Sequence, residues 1–149
     1  MMRVLLDTSV ILDFLLDRLP FADAATAVWQ ANEQGRFEGY ISAITPINVF
    51  YIARKIKDAD VARQMVAGLL AACQVCLIDS LVLQSALALP LHDYEDAVQH
   101  ASAFVSQMDA IVTRDTRDCR RNTPRVDPAR FPRPIEPPGV MTLAEARPS

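Results

Sequence analysis

Short apolar runs alternate with longer amphipathic segments along most of this sequence. The apolar runs predict strands at residues 3–6, 38–45, 75–79 and 109–115. Helical periodicity fills the intervals, at about residues 10–16, 21–34, 45–57, 58–72, 79–89 and 93–106. Strands that alternate with helices are typical of an α/β fold with a mostly parallel central sheet, which helices cover on both faces.

Several polar residues are placed to begin the helices. Thr45 precedes Pro46, and a hydroxyl at the N-cap followed by proline at the first helical position is a common helix start. Asp58 and Asp79 are predicted to cap the two helices that follow them. Asp7, directly after the first strand, could be a helix N-cap in the same way, or it could belong to a functional site.

Length and composition indicate one globular domain. The chain has 149 residues, of which 51% are hydrophobic and 22% are charged, so it can form a substantial core. No apolar run reaches the roughly 18 residues that a membrane-spanning helix needs. Asp7 interrupts the apolar N-terminus, which is therefore not typical of a signal peptide. Three cysteines, an odd number, do not suggest a disulfide framework, and we expect a cytoplasmic protein without membrane partners.

Cys73 and Cys76 form a C-x-x-C pair, a spacing also found in zinc and redox sites. A zinc site needs four ligands, and Cys119, His92 and His100 do not lie at a recognisable spacing from the pair. Because the surrounding segment "LLAACQVCLID" is apolar, we expect buried structural thiols.

Arginines and prolines are concentrated near the C-terminus. Seven of the fifteen Lys and Arg residues lie between positions 114 and 133, and all seven are Arg. They could form a stripe that binds phosphates, or a solvated loop. Seven of the ten prolines lie at or after Pro124. We therefore expect a domain over residues 1–131 and an extended Pro-rich tail over residues 132–149.

Three carboxylates are predicted to meet at one edge of the sheet. Asp7 follows the first strand and Asp115 the last, and parallel sheets bind ligands at the carboxyl ends of their strands. Asp96 lies in the first turn of the helix before the last strand. Carboxylates so close together repel each other, and a hard cation such as Mg²⁺ or Mn²⁺ removes the repulsion. Metal-assisted phosphodiester hydrolysis is the chemistry that suits such a site.

The segments "MRVLLDTSVILDFLLDR", "GYISAITPINVFYIARK" and "DYEDAVQHASAF…DAIVTRDTRDC" resemble successive blocks of a PIN domain. The likeness is closest to bacterial PIN proteins related to the VapC-type toxins, and it extends over about residues 2–131. It implies a Rossmann-like three-layer α/β/α sandwich and an endoribonuclease that uses Mg²⁺ or Mn²⁺ to cleave RNA. It also implies a homodimer and, for a toxin, a cognate antitoxin protein.

The resemblance assigns metal ligands residue by residue. Asp7, Asp96 and Asp115 match the first, third and fourth acidic positions of the family. Asp118 is the nearby acid that often supports or replaces the fourth. Asp93 and Glu95 could lie beside these ligands without being ligands themselves.

The resemblance also indicates residues that contact the substrate. Thr8 or Ser9 matches the small polar residue beside the first aspartate, and Thr113 matches the hydroxyl before the fourth. Four arginines are candidates to hold the RNA backbone, namely Arg114, Arg117, Arg120 and Arg121. Other polar side chains are expected at the surface or in packing contacts, namely Asp13, Asp17 and His100.

Asn48 departs from the pattern, because many PIN proteins have glutamate at this position. Its amide oxygen can contact a metal or a metal-bound water, but it brings no charge. Asn48 could also help to cap the helix that begins near Thr45, and the two roles are compatible. The departure leaves open an alternative, a catalytically weak PIN domain that acts as an RNA- or protein-binding module. A structure-specific DNA nuclease is a further alternative, but the chain lacks insertions suited to gripping duplex junctions.

Overall fold

The structure, a computed structural model, describes residues 1–114 and 125–128. Its strands are β1 (Arg3–Leu6), β2 (Glu38–Ser42), β3 (Gln74–Cys76), β4 (Ala110–Val112) and β5 (Arg125–Val126). Its helices are α1 (Thr8–Leu15), α2 (Ala22–Glu33), α3 (Ile44–Ile56), α4 (Ala59–Ala72), α5 (Ser80–Leu87) and α6 (Tyr94–Val105). None of these described helices is long and apolar enough to cross a membrane.

The strands form one parallel sheet in the order β3-β2-β1-β4-β5. The chain adds β2 and β3 on one side of β1, and then crosses to add β4 and β5 on the other side. The winding direction therefore reverses between β1 and β4, and open α/β sheets bind ligands at the carboxyl ends of the strands at such a reversal. The predicted α/β fold is confirmed, while the short β5 was not predicted.

Side chains of β1 alternate between the two faces of the sheet, as the strand period requires. Val4 and Leu6 pack into a core that also contains residues of α1, α2, α3 and α4. Leu5, between them, packs on the opposite face with Ala103 of α6, and α5 lies against α6. The two helical layers around one sheet confirm the predicted three-layer sandwich.

The helix starts are only partly as predicted. The Asp58 side chain accepts a hydrogen bond from the Val61 N–H at 2.8 Å, and Asp79 caps α5 in the same way, so both predictions are confirmed. The predicted N-cap at Thr45 is wrong, because α3 already begins at Ile44. Thr45 is fully buried inside the first turn of α3, where its hydroxyl is used for a contact with another helix.

Candidate active site

The carboxyl edge of the sheet opens into a cavity of about 250 Å³, next to the junction of β1 and α1. Residues of α1, α3 and α6 contribute to its walls. The lining residues are Asp7, Thr8, Ser9, Leu12, Arg18, Asn48, Ile52, Asp93, Glu95, Asp96 and Gln99. The structure therefore brings together five residues that the sequence predicted for the site, namely Asp7, Thr8, Ser9, Asn48 and Asp96.

Asp7 lies where β1 ends and α1 begins. It occupies the N-cap position of α1, but its side chain makes no capping hydrogen bond, so the capping interpretation of the sequence is wrong. Instead, its Oδ2 accepts hydrogen bonds from the hydroxyls of Ser9, at 2.8 Å, and Thr113, at 2.7 Å. Its Oδ1 accepts no hydrogen bond from a described residue. One carboxylate oxygen is thus held in place, and the other is available to a ligand.

Asp96 lies in the first turn of α6. The side chain of Asp93 caps this helix by accepting a hydrogen bond from the Asp96 N–H at 2.9 Å. The Oδ2 of Asp96 is 3.1 Å from Nη2 of Arg125, whose side chain is only 5% exposed. This partner belongs to β5 and was not predicted as part of the site. The contact fixes the orientation of the Asp96 carboxylate toward the cavity region.

Glu95 adds a further carboxyl group to those of Asp7, Asp93 and Asp96 in the lining. Burial raises its pKa, and the negative charges of Asp93 and Asp7 raise it further. Hydrogen bonding with the side chains of Asn48 and Thr8 acts in the opposite direction. Burial is the largest of these effects, so the charged form of Glu95 is disfavoured in this cavity.

Asn48 lies on α3 and faces Glu95 across the cavity. Its Nδ2 atom is buried and completes no hydrogen bond of standard geometry with a described residue. The Glu95 carboxyl group is its neighbour, but an imperfect hydrogen bond at a buried amide donor leaves part of the desolvation cost uncompensated, so a ligand oxygen there would stabilise the site. Asn48 is not in the first helical positions that would cap α3, which favours its role in the cavity.

A network of side chains behind the cavity joins α1, α3 and α6. Gln99 Oε1 accepts hydrogen bonds from the backbone N–H of Thr8, at 3.1 Å, and from its hydroxyl, at 3.3 Å. The same hydroxyl lies 2.9 Å from that of Thr45. Thr8, Thr45 and Gln99 are all buried. Gln99 was not predicted from the sequence. Nothing in the sequence marks a glutamine within one helix as the hydrogen-bond acceptor for the first backbone N–H of another helix.

Asp13 was expected at the surface, and this prediction is wrong. Its side chain is 1% exposed and forms ion pairs with Arg18, Nε to Oδ1 at 3.0 Å, and with Arg114, Nε to Oδ2 at 2.8 Å. The Arg114 guanidinium also lies over the ring of Phe21, 4.1 Å from its centroid. Arg114, a candidate for RNA contact, is thus anchored to the protein interior, and Arg18 lines the cavity.

The remaining predicted site residues, namely Asp115, Arg117, Asp118, Arg120 and Arg121, lie outside the described residues, as do Cys119 and the predicted tail. Over residues 1–114 and 125–128, no group of three His, Cys, Asp or Glu side chains has the arrangement of a metal site. The described part of the cavity nevertheless fits a divalent cation, because it offers several carboxylate oxygens and an amide oxygen. The donor set contains only hard ligands, which suits Mg²⁺ or Mn²⁺ better than a soft metal.

Of the residues weighed as zinc ligands, His100, Cys73 and Cys76 do not line the described cavity. His100 is 2% exposed and packs in the interior, in agreement with a packing role. Cys73 and Cys76 are buried free thiols, as predicted. Burial raises the pKa of Cys73 to about 12, and it also raises that of Cys76.

Comparisons with known proteins agree with this fold. The model of the PIN domain family matches residues 3–117. A chain of a toxin–antitoxin complex from Klebsiella pneumoniae is 24% identical, with a TM-score of 0.63, over 84% of this chain and 97% of that one. A chain of DNA-bound VapBC from Salmonella typhimurium is 18% identical, with a TM-score of 0.65, over 86% of this chain and 99% of that one.

A third similar structure is VapC20 of Mycobacterium tuberculosis, described as a toxin that cleaves the sarcin–ricin loop. It is 12% identical, with a TM-score of 0.61, over 72% of this chain and 86% of that one. At these identities the likeness demonstrates a shared fold. The search of curated proteins found no match.

Proposed function

This chain belongs to the PIN domain family, and we propose that it is a metal-dependent endoribonuclease of the VapC type, the toxin of a toxin–antitoxin pair. The observation that carries the proposal is the cavity at the sheet reversal, where Asp7 and Asp96 lie with Asn48 and Glu95. Elements from distant parts of the chain converge there. A purely structural role does not explain why carboxyl groups from separate elements share one open cavity.

Mg²⁺ or Mn²⁺ would be held by Asp7 and Asp96, together with Asp115 and with Asp118 in support. Asn48 would contribute its amide to the ligand shell or to a bound water. When bound, the cation supplies activation of a water molecule and neutralisation of the charge that develops on the phosphate.

The protein's own contribution is orientation. Ser9 and Thr113 hold one oxygen of Asp7, so that the other has a fixed direction. Arg125 does the same for Asp96. Such partners typically change metal affinity or activity by 10- to 100-fold when they are removed. Ser9 lines the cavity, and we propose that its hydroxyl is also within reach of the substrate.

The alternative function is a catalytically weak PIN domain that binds RNA or protein. One observation favours it, which is the neutral Asn48 in place of the glutamate found in many relatives. The charge of Glu95 in the same cavity offsets this loss, because it lies beside Asn48 and near Asp7. We therefore prefer the enzyme.

The proposal extends to partners and location. Because similar structures come from toxin–antitoxin complexes, we propose a cognate antitoxin, and we propose a homodimer in the cytoplasm on the family resemblance. A small open reading frame upstream of the gene, with a product that copurifies with this chain, is the expected result. Size-exclusion chromatography with light scattering measures the stoichiometry.

The direct test of the enzyme is cleavage of single-stranded RNA by the purified protein. We expect slow cleavage with Mn²⁺ or Mg²⁺ and none with EDTA, since the described residues provide no other activated nucleophile. Cleavage that continues with excess EDTA would contradict the mechanism. An inactive protein that still binds RNA would favour the alternative.

A further inference from the structure

Two arginines share one buried carboxylate at the edge of the cavity. Asp13 is 1% exposed, and each of its oxygens is paired with the Nε atom of one arginine, Arg18 or Arg114. Arginine stays protonated in proteins, so the cluster carries two positive charges and one negative charge. A net positive charge therefore remains next to a cavity that is otherwise acidic.

Both guanidinium groups retain donors for a further anion. Asp13 engages only the Nε atoms, and the Nη2 atom of Arg18 makes a long contact of 3.5 Å with the carbonyl oxygen of Ser9. The Nη atoms of Arg114 have no hydrogen bond to a described residue. The side chains are 38% and 35% exposed, so a ligand can reach them. The ring of Phe21 limits the orientations of the Arg114 guanidinium plane.

The position of Arg18 suits an extended polyanion. Arg18 lines the same cavity as Asp7 and Asp96, and it is the basic side chain of the described lining. A strand whose scissile phosphate lies at these carboxylates carries a neighbouring phosphate to the rim. Since the carboxylates repel that phosphate, a cation at the rim is needed to hold it.

We propose that Arg18 and Arg114 form a clamp for the backbone phosphate of RNA that adjoins the cleaved one, with Asp13 as a positioning residue. The inference rests on the proposed function as a ribonuclease. Guanidinium groups bind phosphate oxygens in a bidentate fork, and a buried carboxylate that already orients them reduces the entropy lost on binding. Arg114 was a candidate from the sequence, whereas Arg18 and Asp13 were not.

The test is the salt dependence of RNA binding by the full chain in EDTA, where metal-dependent cleavage cannot occur. A short labelled single-stranded RNA is titrated at several NaCl concentrations and followed by fluorescence anisotropy. Each phosphate contact contributes about −0.7 to the slope of log K against log salt concentration. Arg18→Gln and Arg114→Gln are each expected to reduce the steepness of the slope by about 0.7. Arg54→Gln removes the same charge from an exposed position on α3 and should leave the slope unchanged.

Two further variants separate positioning from simple charge. Arg18→Lys keeps the charge but not the fork, so we expect the wild-type slope with weaker binding. Asp13→Asn makes the cluster more positive, and a role through charge alone predicts tighter binding. The clamp predicts weaker binding, since the arginines lose their anchor. A thermal melt of each variant confirms that it is folded.

The outcomes distinguish the clamp from the nuclease. Wild-type slopes in both Arg→Gln variants, or no RNA binding by the wild type, would overturn the clamp even if the protein cleaves RNA with Mn²⁺. Reduced slopes in a protein that never cleaves RNA would support the clamp and contradict the proposed enzyme.

Discussion

At the scale of single residues, Asn48 distinguishes the proposed enzyme from a binding module. Its amide faces Glu95 and lowers the pKa of that carboxyl group, although the buried Nδ2 does not reach standard hydrogen-bond geometry. Asn48→Glu adds a carboxylate to a cavity in which burial and nearby charges already raise the pKa of Glu95. Without metal, the variant should therefore be less stable, and a bound cation should restore its stability.

We expect Asn48→Glu to lower the Mg²⁺ concentration needed for half-maximal RNA cleavage. A charge-assisted contact of about 1 to 3 kcal/mol corresponds to roughly a 5- to 150-fold change. Asn48→Gln is the matched control, because glutamine has the same length as glutamate but carries no charge. If the wild type is active and Asn48→Glu weakens it, the interpretation that Asn48 leaves the metal site one charged ligand short would be contradicted. An inactive wild type that is rescued by it would favour the binding module.

Cys73 gives a prediction with a defined pH dependence. Burial raises its pKa in the folded state from 9.0 to about 12, so the thiol is neutral at physiological pH. The contribution of the buried neutral thiol to the free energy of unfolding is fully present below pH 9, and it is lost as the pH rises through 12. In a Cys119→Ser background, alkylation at pH 8 should be slow in the folded protein and rapid in urea. Rapid alkylation of the folded protein would contradict the burial of both remaining thiols.

Some residues of the site could be predicted from the sequence and others could not. Asp7 follows a strand and Asp96 begins a helix, so both are recognisable from the order of the elements, whereas Asn48 is recognisable only from the resemblance to PIN domains. Asp13 is not, since its partner Arg114 is brought to it only when β4 pairs with β1. Arg125 is likewise paired with Asp96 through a two-residue strand that carries no periodic signal.

At the scale of elements, a side-chain hydrogen bond joins the end of β4 to the junction of β1 and α1. The buried Thr113 hydroxyl donates to Asp7 at 2.7 Å, and it is one of two hydroxyls that do so. Thr113→Val keeps the shape but removes this donor. We expect a loss of about 1 kcal/mol in stability and a roughly 10-fold higher Mn²⁺ requirement for cleavage.

Ser9→Ala, which removes the other donor, is the comparison for this prediction. Each single variant leaves Asp7 with one hydroxyl partner among the described residues. The double variant should therefore lose more stability than the sum of the two single losses. A Mn²⁺ requirement that stays at the wild-type value in Thr113→Val would show that this contact does not orient Asp7.

The strands and helices were largely predictable, because apolar residues follow a different spacing in strands than in helices. Apolar runs of strand length alternate with helical periodicity, so β1 to β4 and the six helices were expected near their observed places. The start of α3 was not predicted correctly, because the Thr45-Pro46 signal lies within its first turn. Thr45 is buried against Thr8, and this tertiary contact outweighs the local preference of threonine for a cap.

At the scale of the whole molecule, an apolar groove of about 720 Å³ lies between α3 and α4. Its lining includes the exposed side chains of Ile47, Tyr51 and Leu70, and it is separate from the acidic cavity. Contiguous exposed apolar surface is typical of protein contact sites. Under the function proposed above, we expect the antitoxin to occupy this groove.

Tyr51→Glu places a charge in the groove and should weaken antitoxin binding by at least about 10-fold, since burying an unpaired charge is costly. RNA cleavage by the free protein should be unchanged. Arg54→Gln, exposed on the same helix, makes the same change of −1 in net charge and is the control. Calorimetric titration with the antitoxin measures the effect, and wild-type affinity of Tyr51→Glu would place the antitoxin elsewhere.

The proposed mechanism of RNA cleavage depends on whether Asp7 and Asp96 hold a catalytic cation. The most direct measurement is a Mn²⁺ titration of RNA cleavage by the wild type, Asp7→Asn, Asp96→Asn and the exposed control Asp60→Asn, with a melting curve of each in EDTA. We expect each of the first two substitutions to reduce cleavage by about 100-fold or more, while the control retains wild-type activity. The Asp7→Asn and Asp96→Asn proteins should remain folded. Near wild-type cleavage by either variant would contradict the ligand assignment and with it the proposed mechanism.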